Sequence, residues 1–235
     1  MQQFVRINEL FEKSEKCHKH NFFRCWFDNV EATQEENYYL STLERDLLQI
    51  ENAAWPDFMQ KCLPLICNQD PKYHWANLWN VLNESKGYIF LKKQGFENIE
   101  FLRENNYRTP DIKALSQNGS VLLEVKNVNR SESDTFWTIF QEPRFIDDSH
   151  NFIAALCGKL GKLYGDASKQ LLEYCRRTGE AAQKICFFVV DIDILHHSKM
   201  RPIIEKLINN LPVSNAIEIE HVFIERLVNR GDDSN

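Results

Sequence analysis

Apolar positions recur at helical spacing in the first part of the chain. Between Glu35 and Gln49, and just beyond, Tyr39, Leu43, Leu47 and Ile50 fall on one face. Residues 1–70 therefore read as helical, broken into short pieces by Pro56, Pro64 and Pro71. A further helix is expected from about Tyr73 to Lys93, with Trp75, Leu78, Leu82 and Ile89 as its apolar positions and Gly95 as its C-cap glycine. The texture then changes. Asn98 to Leu102 reads as a strand and Pro110 to Val128 as a hairpin, because Asn118-Gly119 suits a turn with positive φ at both central residues. A polar and aromatic loop, Asn129 to Asp148, follows. Helical pattern returns from Ser149 to Arg177, with an interruption expected near Gly161 or Gly165 and Asp166 capping the second piece. Ile185 to Ile192 is a short apolar run, as in a strand buried on both faces. A helix from about Lys199 to Asn210 and a strand from Ala216 to Glu225 close the pattern. Helix, three strands, helix, strand, helix and strand is the order of a mixed α/β domain. It is assigned residues 73–235, behind a helical N-terminal region at 1–72 that forms a cap or small subdomain.

With Asn118 and Gly119 as a two-residue turn, Gln117 pairs with Ser120, Leu115 with Leu122, Lys113 with Glu124 and Asp111 with Lys126. Side chains alternate across a strand, so Ile112, Ala114, Val121, Leu123 and Val125 share one apolar face, the core side. Asp111, Glu124 and Lys126 share the other, with the two carboxylates as diagonal neighbours within reach of a common ion. Such a group suits a hard divalent cation, Mg²⁺ or its substitute Mn²⁺, which takes oxygen ligands, keeps several waters and bridges to phosphate. Asp111 and Glu124 would supply ligands, with the Val125 carbonyl as an additional oxygen. Lys126 would orient or help deprotonate the attacking water and contact the phosphate. Any one of these residues alone is ordinarily half of a cross-strand ion pair. Together, with Pro110 before the Asp and Glu-x-Lys ending an apolar strand, they point to a site.

Pro110-Asp111, twelve intervening residues and Glu124-Val125-Lys126 resemble the bipartite signature of the PD-(D/E)XK nucleases, which include restriction endonucleases, Holliday-junction resolvases and RecB-like exonucleases. That family's core is a helix, three strands, a helix and a strand, the order read here from Tyr73 to Ile192. The resemblance implies a restriction-endonuclease-like core and Mg²⁺-dependent hydrolysis of phosphodiester bonds in DNA, by endonuclease or exonuclease action, with RNA left open. RecB-like members carry Gln-x-x-x-Tyr on the helix after the catalytic hairpin, and Gln170 and Tyr174 match it on one helix face. Members often add a metal-binding Glu on the first core helix; Glu84 matches best, ahead of Glu97 and Glu100. The implied catalytic set is Asp111, Glu124, Lys126, Gln170 and Tyr174; the implied metal set is Glu84, Asp111, Glu124 and Val125. Iron–sulfur members need three cysteines after the core, where this chain has only Cys186, so no cluster is expected. A second Pro-Asp, Pro56-Asp57, lacks a Glu-x-Lys at a usable distance and reads as a helix start.

Charge adds a counter-argument. A formal net charge of -6 over 235 residues disfavours a sequence-independent nucleic-acid binder, although metal-binding carboxylates are themselves acidic. Lys13 to Arg24 and Lys159 to Lys169 are basic, each read first as a solvated helix face. The charge keeps two alternatives in view. One is a nuclease-fold subunit of a defence, repair or mobile-element complex that binds nucleic acid or a partner without cutting. The other is an interaction protein whose hairpin merely resembles the motif. A homodimer would match the two-fold symmetry of a duplex cut on both strands. No apolar run suits a membrane span and the start lacks a signal-peptide pattern, so the expected location is cytoplasmic, with the seven cysteines reduced. Cys17, His18, His20 and Cys25, with Cys62 and Cys67, lack the tight spacing of common zinc sites. His196-His197, after Asp191 and Asp193, reads as a loop pair. Phe136, Trp137, Phe140 and Phe145 suit base stacking as well as they suit a core or a dimer surface. No Walker A, GxGxxG or GxSxG pattern occurs.

Overall fold

A computed structural model describes residues 4–14, 21–24, 34–67, 75–103, 107–117, 119–128, 149–212 and 216–226. The loop aromatics Phe136, Trp137, Phe140 and Phe145, the group Cys17, His18, His20 and Cys25, and Asn118 lie outside the described residues, as do the side chains of Asp191, Asp193, His196 and His197. The elements are α1 (Val5–Lys13), α2 (Gln34–Leu47), α3 (Trp55–Ile66), α4 (Ala76–Lys93), β1 (Glu97–Phe101), β2 (Ile112–Ser116), β3 (Gly119–Val128), α5 (Ser149–Thr178), β4 (Ala182–Asp193), α6 (Ile194–Asn209) and β5 (Glu218–Arg226). The fold is α/β. Its one mixed sheet has the order β1-β2-β3-β4-β5, with β1, β2 and β3 antiparallel in turn and β4 and β5 added in parallel. Parallel pairs need crossovers, and α5 and α6 provide them. Because both steps advance the same way along the sheet, the usual right-handed connection puts both helices on one face.

Both faces of the sheet are covered. Ile112, Ala114, Val121, Leu123, Val125, Ile185 and Phe187 pack against α1 to α4, while Leu122, Val128, Cys186, Phe188 and Val190 pack against α5 and α6. This corrects the expectation that the hairpin has a single core side: the face of Glu124 is enclosed too, and Glu124 itself is 3% exposed. The first cluster also crosses the divide at 72/73. Phe58, Cys62 and Ile66 of α3 share it with Leu78, Leu82 and Tyr88 of α4 and with the sheet. The N-terminal helices are thus built into the same layer as α4. Within that layer, buried Glu44 accepts from the backbone N–H groups of Arg6 and Ile7, both at 2.9 Å, satisfying donors that α1 leaves unpaired at its start.

Two local expectations change. The hairpin pairs Ser116 with Gly119, Leu115 with Ser120 and Ile112 with Leu123, an offset of two residues from the register expected. Gly119 has φ 126 and stands as the first residue of β3, so its left-handed freedom serves the strand entry. An even offset keeps every side chain on its expected face but changes who stands opposite whom. Continued by one residue, the observed register sets Asp111 opposite Glu124 instead of Lys126. The second change is α5, which runs unbroken through Gly158, Gly161 and Gly165. Leu156, Leu160, Tyr164, Ala167 and Leu171 form a continuous buried stripe, and its packing outweighs the weak helix propensity of the glycines.

Candidate active site

β2 begins at Ile112, so the backbone of β3 beyond Leu123 has no strand partner on that side. Asp111 fills the gap: its Oδ2 accepts from the Val125 N–H at 2.8 Å. A residue's N–H and C=O point to the same side of a strand, so the Val125 carbonyl faces the Asp111 side as well. Glu124 and Lys126 project together from β3, with Lys126 Nζ donating to Glu124 Oε1 at 2.6 Å. From the helix layer beyond, Gln170 Nε2 donates both to Glu124 Oε2, at 2.8 Å, and to the Thr109 carbonyl, at 2.7 Å. One amide group thereby ties α5 to the hairpin and holds the plane of the carboxylate.

On the opposite face α4 comes close to the sheet at Gly87, where a Cβ would lie 2.9 Å from Leu123 Cδ2 and 3.0 Å from Val125 Cγ2. That approach carries Glu84, one turn earlier and 5% exposed, towards the open end of β2. Lys61 of α3 lies there, its Nζ 2.5 Å from Glu84 Oε2 and 3.6 Å from Asp111 Oδ1. Nearby, Asn83 Nδ2 donates to Asn127 Oδ1 at 2.7 Å, joining α4 to the end of β3.

The electrostatics follow from this enclosure. Burial first, and then the charge of Asp111, push the Glu124 carboxyl up to about 8 against the opposing pull of Lys126 and Lys61. Burial and Asp111 likewise raise Glu84 well above the usual carboxylate range, with Lys61 opposing. For Lys126 burial works to lower the value, but the charge and hydrogen bond of Glu124 outweigh it and the ammonium is held above its ordinary range. Lys61 is raised for the same reason, through Glu84 and Asp111. Cys186, beside Glu124 on β4, is pushed by burial up to about 12, which leaves it an inert thiol.

The structure thus brings Asp111, Glu124, Lys126 and Gln170 together, with the Val125 backbone against Asp111. Tyr174, one turn beyond Gln170, stands elsewhere: its ring centroid is 6.2 Å from that of Tyr107, beside the Lys113–Glu180 ion pair of 2.8 Å. Glu84 is adjacent to Asp111, but its carboxylate is engaged by Lys61. Among the described residues no three His, Cys, Asp or Glu side chains are grouped to hold one metal ion. Lys61 lies between Glu84 and Asp111, and Lys126 is bonded to Glu124. Lys61 and the Thr109 carbonyl were missed by sequence reasoning. Lys61 falls one turn after Phe58 on a helix whose buried positions are Trp55, Phe58, Cys62 and Ile66, and a lysine flanking an apolar stripe ordinarily only covers it with its stem. Pro56 is in the first turn of α3 as expected, with Asp57 paired to Arg103 at 2.6 Å. Cys62, Cys157, Cys175 and Cys186 are free, but Cys67 is disulfide-bonded, against the expectation of wholly reduced thiols. No helix among the described residues is long and apolar enough to cross a membrane. Comparison with protein-family models, curated proteins and solved structures gives no match.

Proposed function

We propose that this protein is a PD-(D/E)XK nuclease with a restriction-endonuclease-like core, hydrolysing phosphodiester bonds in DNA with Mg²⁺, or Mn²⁺ in its place. The observation that carries the reading is the junction at the end of β2. There the Asp111 carboxylate is bonded to the backbone of Val125, and Glu124 and Lys126 flank that residue on a shared face. The helix–three strands–helix–strand order of α4 to β4 supports it further. Asp111, Glu124 and the Val125 carbonyl form a hard oxygen set of the kind Mg²⁺ prefers, and two carboxylates suffice because that ion keeps several waters. Bound there, a divalent cation supplies neutralising charge and an acidified water. The remaining work falls to the chain. Gln170, anchored on Thr109, fixes the Glu124 carboxylate. The Lys126 ammonium orients the attacking water and meets the developing negative charge on the phosphoryl oxygens.

Cleavage of linear, circular and single-stranded DNA, and of RNA, with Mg²⁺ or Mn²⁺ tests the proposal. The native chain is expected to cut DNA only with the cation. Asp111→Asn and Lys126→Met should each lower the rate by about a hundredfold or more. Undiminished cutting in either variant, or no cutting by the native chain on any substrate, would refute it.

A further inference from the structure

We infer that Lys61 stands in for a second metal ion, so that the centre takes one divalent cation and the chain supplies the other positive charge itself. The inference rests on the reading of Asp111 and Glu124 as metal ligands. Asp111 is shared between two positions: one oxygen faces the Val125 backbone and the Glu124 side, while the other lies 3.6 Å from Lys61 Nζ, which itself contacts Glu84 Oε2 at 2.5 Å. An ammonium at those distances from two carboxylates of different elements occupies the space of a bridging cation. Neither partner is solvated enough to wander, since the Lys61 and Glu84 side chains are 12% and 7% exposed. Once metal binding has displaced the proton of Glu124, Asp111 and Glu124 bring two negative charges to the cation side, while the Lys61 ammonium meets Asp111 and Glu84 on the other. One divalent cation on the Asp111–Glu124 side neutralises those two charges, whereas two would have to expel Lys61. The ammonium comes from α3, so the N-terminal helices contribute to the centre as well as covering the sheet.

Calorimetric titration with Mn²⁺, on the full chain and without nucleic acid, reads this directly. The native chain is expected to bind one ion, Lys61→Gln two, and the double variant Lys61→Gln with Glu84→Gln one again. Two ions on the native chain, or no added ion in Lys61→Gln with its fold intact by circular dichroism, would overturn the inference. Should Lys61→Gln fail to fold, acetic anhydride labelling of the native chain decides. Lys61 should stay protected from acetylation when Mn²⁺ saturates, and its labelling on saturation would show the ammonium expelled and the inference wrong. The nuclease reading fails separately: a native chain that binds one ion yet cuts no nucleic acid sinks that reading and leaves this one standing.

Discussion

At Glu124 both carboxylate oxygens are engaged, Oε1 by Lys126 and Oε2 by Gln170, and the group is enclosed between β3 and α5. Its proton is held up to about 8, mainly by burial and then by the charge of Asp111. From the ordinary carboxylate value of 4.5 up to about 8 the folded chain therefore keeps a proton that the unfolded chain releases. Stability of the metal-free protein from this group is full below that window and falls as pH rises through it. Thermal unfolding at pH 5 and pH 8 should show the decline, with a smaller one in Glu124→Gln; an equal decline in the variant would assign it elsewhere. The same proton competes with a metal ion, so the apparent Mn²⁺ affinity should rise about tenfold per pH unit between pH 6 and 8. A pH-independent affinity would contradict this. The grouping of Asp111, Glu124 and Lys126 was legible because strand alternation is a local rule, which the two-residue error in register leaves intact. Lys61 and Thr109 were not legible, because their roles come from contacts between α3, α4, α5 and the hairpin that no local pattern encodes.

Among the elements, α4 and α5 show glycine in opposite roles. At Gly87 a methyl group would press on Leu123 and Val125 beneath the site. The gain in helix propensity is about 1 kcal/mol and overpacking costs about 1–3 kcal/mol, so Gly87→Ala should be destabilising by roughly 1 kcal/mol and should weaken Mn²⁺ binding by displacing α4. At Gly161 nothing lies within 4 Å of an added Cβ, so Gly161→Ala should stabilise the chain by about 0.5–1 kcal/mol. Urea unfolding of the two variants checks the contrast, and a shift of the same sign in both would contradict it. The difference also explains what the sequence could and could not give. Glycines inside a helical pattern signal a break only when packing is ignored, and the buried stripe from Leu156 to Leu171 supplies that packing. The hairpin register needed the backbone of Gly119, which a dipeptide rule describes only on average.

For the whole molecule, the sheet's first face is closed by helices from both sides of the divide at 72/73, and the ties there include buried charge. Lys61 reaches Glu84, and Lys86 reaches Asp46 at 2.6 Å. A fragment of residues 73–235 would bare the outer side of α4 and leave Glu84 without its ammonium. It should lose cooperative thermal unfolding, whereas a fragment with a sharp transition of its own would show the N-terminal helices to be an appendage. The α/β class and the order of elements were readable from apolar periodicity; that the N-terminal helices belong to the same core was not, because helical pattern alone does not say which face a helix covers. The claim on which the account turns is that Asp111 and Glu124 hold a divalent cation at the open end of β2. Anomalous diffraction from crystals grown with Mn²⁺ tests it most directly. The account predicts one peak, with the carboxylates of Asp111 and Glu124 and the Val125 carbonyl each at about 2.1 Å. No peak at those oxygens, or a peak held by other residues, would contradict it.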